Sequence, residues 1–73
     1  MSEMQVMGKP GHTTMKWDPE NDEEIETAKA TFDALLAKGF SAFSVKDGGK
    51  GERLQRFDHR ANEIIVIPPI AGG

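Results

Sequence analysis

The residues best placed to do chemistry stand at the end of the chain. Pro68-Pro69-Ile70-Ala71-Gly72-Gly73 follows the apolar run Ile64-Ile65-Val66-Ile67. Read as a true terminus, this ending sets a carboxylate on two glycines, with no side chain beside it. Such a tail can be threaded into a narrow channel, because Gly72 and Gly73 allow backbone angles closed to other residues. Pro68 and Pro69 stiffen its base in an extended form, which limits the entropy lost on insertion. Ile70 and Ala71 would line the channel with apolar contacts. At about 7% glycine, a random chain ends in Gly-Gly roughly once in 200 cases. The plain alternative is a frayed end, common at termini.

Other constellations are weaker. Gly48-Gly49-Lys50-Gly51 superficially suggests a phosphate loop, but it lacks the Walker spacing and the following Ser or Thr. It reads as a hairpin loop. His12, Asp18, Asp58 and His59 follow no metal-ligand spacing, and Asp58-His59 suits a turn. No metal is expected. No Ser-His-Asp or paired-carboxylate arrangement is legible, and a chain this small rarely encloses a pocket of several hundred Å³, so an enzyme is not expected. Arg53, Arg56 and Arg60, with Lys46 and Lys50, form a basic region that reads either as a docking patch for an acidic partner or as a solvated surface.

Bulk properties bound the rest. Seventy-three residues make one domain, residues 1–73, with a core near the lower limit of independent stability. There is no cysteine, hence no disulfide and no thiolate site. The net charge of −3 argues against a nucleic-acid partner. Charge is uneven: residues 1–36 carry eight acids against three bases, whereas residues 37–73 carry six bases against four acids. No run approaches the ~20 apolar residues of a membrane span. Met1-Ser2-Glu3-Met4 lacks the segments of a signal peptide, so a soluble cytoplasmic protein without a membrane partner is expected.

The elements that must position the tail follow from periodicity. Met4-Gln5-Val6-Met7 reads as a first strand, with residues 1–11 as a loose tail the alternative. Gly8-Lys9-Pro10-Gly11 is turn chemistry. His12 to Trp17 reads as a strand with Thr13, Met15 and Trp17 on one face. Asn21 with Glu24 is a variant capping box, with acids in the first turn. Ile25, Ala28, Phe32, Leu35 and Leu36 make one helical stripe, and Gly39 suits the C′ position, which predicts a helix over 22–38. Phe40 to Val45 reads as a strand, with Ser41, Phe43 and Val45 sharing a face. Arg53 to Phe57 reads as another, needing a bulge or an edge position to reconcile Leu54 with Phe57. Ile64 to Ile67 is apolar throughout, which predicts a central strand buried on both faces and ended by Pro68-Pro69. Trp17, Phe32, Phe40, Phe43 and Phe57 are expected in the core.

The order ββαβββ with a central last strand resembles the β-grasp, or ubiquitin-like, fold: α+β, one helix across a mixed sheet of four to five strands. The ending from Ile64 onward resembles the C-terminus of the molybdopterin synthase small subunit and, more loosely, the thiamine-pathway sulfur carrier. The stretch Gly11 to Pro19 matches no signature of those carriers. The resemblance implies that the Gly73 carboxylate is adenylated by a partner (E1-like) enzyme that uses ATP. It would then be thiocarboxylated or conjugated to a downstream acceptor protein. The carrier itself would hold no cofactor and contribute no base. The rival reading is a protein–protein interaction module, for instance a small regulatory or phage-type accessory protein. Such a module would present its sheet face or acidic helix face, and its Gly-Gly tail would be incidental.

Overall fold

The computed structural model describes residues 1–8, 11–45 and 51–69. The helix α1 spans Asp22–Ala37. Asn21 caps it: the Asn21 side chain accepts from the backbone N–H groups of Glu23 (3.1 Å) and Glu24 (3.2 Å). Glu24 reaches back in return, accepting from the Asp18 N–H (3.0 Å) and from Asn21 Nδ2 (3.0 Å). The box is thus closed on Asp18, three residues before the cap. At the other end the Phe40 N–H donates to the Leu35 carbonyl and the Gly39 N–H to that of Leu36. That pair of bonds is a Schellman motif, and it needs a left-handed residue at C′. Gly39, at φ +95°, supplies it.

Five strands form one mixed sheet: β1 Ser2–Gly8, β2 Gly11–Trp17, β3 Ser41–Val45, β4 Gly51–Leu54 and β5 Glu63–Ile67. Their spatial order is β2-β1-β5-β3-β4. β1 runs parallel to β5 and antiparallel to β2, while β3 is antiparallel to both β5 and β4. Ser2–Gly8 is therefore a strand paired on both sides, and not a loose tail.

The helix covers one face only. Its Ala28 and Phe32 are buried with Met4, Trp17, Ala42, Ile64 and Val66. Ile25, Leu35, Leu36, Phe40, Leu54 and Phe57 pack around them, half-buried. The alternation of strand side chains then sends Ile65 and Ile67 to the opposite face, where Ile67 is 42% exposed. The expectation of a strand buried on both faces is corrected. β5 is central, but among the described residues one helix covers one face and no element covers the second.

Phe43 is corrected for the same reason. It is half-buried on the open face, and Ala42 and Ser44 point inward. The inward positions of β3 are the small residues Ala42 and Ser44, which pair with buried Val66 and Ile64 of β5. Phe57 needs no bulge. β4 ends at Leu54, and Phe57 folds back from the following connection against Trp17 (ring centroids 5.1 Å) and Phe32 (5.6 Å). Trp17 closes that end of the core, donating from Nε1 to the His59 carbonyl at 3.1 Å.

Candidate functional site

The chain leaves the sheet from its central strand. β5 ends at Ile67, and Pro68 and Pro69 carry the backbone out without donors for a further ladder. Pro69 passes over the end of α1: a Cβ added at Gly39 would lie 3.6 Å from Pro69 Cβ and 3.7 Å from its Cγ. Gly39 therefore has two duties, turning the chain at the helix end and forming the surface beneath Pro69. Pro68 is half-buried and Pro69 exposed. The predicted site residues Ile70, Ala71, Gly72 and Gly73 lie outside the described residues.

Beside this exit lies the open face of the sheet. Register places Phe43 of β3 opposite Ile65 of β5 and opposite Arg53 of β4. Val45 stands opposite Glu63, and Ser41 opposite Ile67. Met7 joins them on β1, since Gln5 is level with Ile65 and the phase repeats every second residue. Met7, Phe43, Val45, Ile65 and Ile67 thus form an apolar surface that α1 does not cover. Gln5 and Glu63 border it, joined by a 2.7 Å hydrogen bond from Gln5 Nε2 to the Glu63 carboxylate. Exposed Arg53 borders it on the other side.

The rival reading of the sequence allows for an exposed sheet face, but the apolar make-up of this one differs from the expectation of a β5 buried on both sides, although its signal is present. Four consecutive apolar residues in β5 cannot all face the one helix, so two had to face elsewhere. Of the predicted basic patch, Arg53 lies on this face, whereas Arg56 and Arg60 stand exposed on the connection to β5. Lys46 and Lys50, with the loop residues 48–50, lie outside the described residues.

The remaining titratable candidates serve local structure. Asp18 accepts from the Glu20 N–H (2.9 Å) and Asp58 from the Arg60 N–H (3.0 Å), each shaping a turn. His12 sits five residues from Trp17 along β2, about 17 Å at strand rise. His59 instead meets the Trp17 end, through its carbonyl. The two histidines are therefore not brought together. Among the described residues no three His, Asp or Glu side chains gather in metal-binding range. Among the same residues no helix is long and apolar enough to cross a membrane. Comparison with protein-family models, with curated proteins and with solved structures gives no match.

Proposed function

We propose that this chain is a β-grasp carrier protein of the ubiquitin-like kind, acted on at its C-terminal carboxylate. The observation that carries the reading is the position of β5. It is the central strand of a five-stranded mixed sheet, and it passes directly into Pro68-Pro69, seated against Gly39. In this reading the stretch after that exit is what the partner enzyme takes up. The strand order, with β1 parallel to a central last strand, also supports the β-grasp assignment.

In the proposed chemistry a Gly73 carboxylate oxygen attacks the α-phosphorus of ATP in the partner's site, and pyrophosphate leaves. The mixed anhydride is then attacked at its carbonyl carbon by a sulfur or amine nucleophile, with AMP as the leaving group. The first route gives a thiocarboxylate and the second an amide. Neither needs a general base from this chain. The work of the chain is to present a slim acyl group and to dock. The apolar face of Met7, Phe43, Val45, Ile65 and Ile67 would meet the adenylating enzyme, with Arg53 at its margin and Arg56 and Arg60 beyond. The test is intact mass of the chain after incubation with ATP and an adenylating enzyme of the same source. An adenylyl or thiocarboxylate product is expected, and none after deletion of Gly73.

A second reading rests on the same open face. A non-covalent interaction module would use that surface without needing the tail. Partner capture that survives truncation after Pro69 undiminished, with no adenylate formed on the full chain, would favour it.

A further inference from the structure

Pro69 is the last described residue, and Ile70-Ala71-Gly72-Gly73 follow it in the sequence. Four residues span at most about 14 Å. Their starting point is fixed. The β3–β5 register sets Ser41 opposite Ile67, and continued by two residues it puts Pro69 level with Gly39, in agreement with the close approach there.

Two clefts flank this exit, and Phe40 borders both. One lies toward β1 and β2, against Val6, Met7 and Thr13. The other, of about 280 Å³, is lined by Leu36, Phe40, Ser41, Arg53, Leu54 and Gln55. We infer that this second cleft holds the chain's own C-terminal tail, with Ile70 on Leu36, Phe40 and Leu54 and the Gly73 carboxylate on Arg53. Such storage presupposes Gly73 as the free terminus, as the carrier reading does, and adds a regulatory step to it.

Both ends of the tail find their chemistry in this cleft. Leu36, Phe40 and Leu54 are half-buried at the edge of the core, so each leaves apolar surface. Ile70 is the one large apolar side chain after Pro69, and its burial there is favourable. Arg53 is exposed, and among the described residues no carboxylate pairs with it. Its guanidinium fork can take a carboxylate through two N–H donors, and the Gln55 amide offers another. Alternation sends Glu52, the neighbouring acid, to the opposite face. The first cleft has no lysine or arginine among its lining residues, so it offers the carboxylate no such partner.

The distances allow it. Arg53 stands opposite Phe43, four residues along from Gly39, roughly 13 Å at strand rise, and β4 lies two strands from β5, roughly 10 Å. The separation from Pro69 is therefore roughly 16 Å between backbones. The tail and the long arginine side chain span it together, and Gly72 and Gly73 bend freely toward it. Arg53 also borders the open face of the sheet. A partner that meets that face with an acidic group draws Arg53 away and frees the tail, which couples docking to presentation of the carboxylate.

The test needs no enzyme: nuclear magnetic resonance of the isolated, isotope-labelled full chain. Expected are NOE contacts from the Ile70 methyls to the Phe40 ring and the Leu54 methyls. Amide heteronuclear NOE values at Gly72 and Gly73 should lie well above those of the free hexapeptide Pro-Pro-Ile-Ala-Gly-Gly. Arg53→Gln should lower the docked-to-free ratio roughly twofold to fivefold, as loss of an exposed ion pair does. A chain ending in a Gly73 amide should lower it equally, and the two changes together no further, because they remove the same bond. Ile70 contacts to Val6, Met7 or Thr13 instead would overturn the assignment. So would glycine amides relaxing as in the hexapeptide, or a tail indifferent to both Arg53→Gln and amidation. A docked tail on a chain that no enzyme adenylates would sink the carrier reading alone, and a free tail on an adenylated chain would sink the storage alone.

Discussion

Phe32 tests whether the helix truly roofs the sheet. Its ring is fully buried and meets Phe57 edge-on at 5.6 Å, and Phe57 meets Trp17 in turn. Truncation to alanine loses the transfer energy of the ring and leaves a cavity, a cost of about 3–5 kcal/mol. At 0.05–0.15 kcal/mol per residue, a chain of 73 residues has roughly 4–11 kcal/mol in total. Phe32→Ala should therefore remove about a quarter or more of the stability and bring the molecule close to unfolding. Phe32→Leu keeps most of the volume and loses the edge contact, at about 1–1.5 kcal/mol. With a urea m-value near 1 kcal/mol/M, typical of a small domain, its midpoint should fall by about 1–1.5 M. Trp17 is the only tryptophan and is fully buried, so its fluorescence reports the transition directly. An unchanged midpoint in Phe32→Leu, together with a cost below about 1 kcal/mol in Phe32→Ala, would refute the packing described.

Further expectations concern the helix ends and the open face. Asn21→Ala should cost about 1 kcal/mol in the same urea titration, through loss of the cap. Gly39→Ala should cost about 1–2 kcal/mol, because φ +95° penalises any Cβ even where Pro69 leaves ordinary contact distance. Ile67→Ser should change stability by no more than about 0.5 kcal/mol, since Ile67 is 42% exposed, yet it should weaken capture of the adenylating enzyme. Charge reversal at both Arg56 and Arg60 should slow association at low salt and flatten its salt dependence. Unaltered affinity and salt dependence would remove both from the interface.

The parts legible in the sequence are those decided locally. Asn21, Glu24 and Gly39 bracket the helix through bonds that span at most six residues, so the residue types announce the ends. The density of apolar residues at Ile64 to Ile67 also announced a central strand. What escaped was decided at long range. Which phase of β3 faces inward is fixed by its register with β5, where Ala42 meets Val66, Ser44 meets Ile64 and Phe43 meets Ile65, and that register is a long-range pairing. The open apolar face escaped for a related reason: an all-apolar strand has the same composition whether one or both of its faces are covered. Phe57 fits a strand over Arg53 to Phe57 only with a bulge or an edge position, whereas its ring is held by two aromatic partners distant in sequence. The tail was legible as composition alone, and its base acquires a position from Gly39, thirty residues before Pro69.

The central claim is a reactive carboxylate at Gly73. Its most direct test is intact mass spectrometry of the folded chain after incubation with ATP and the adenylating enzymes of its source organism. The account predicts an adenylyl adduct, converted to a thiocarboxylate or to a conjugate when sulfur donor or acceptor is supplied, and no adduct on a chain lacking Gly73. A full-length, folded chain that none of those enzymes adenylates, or a shortened chain that reacts equally well, would contradict it.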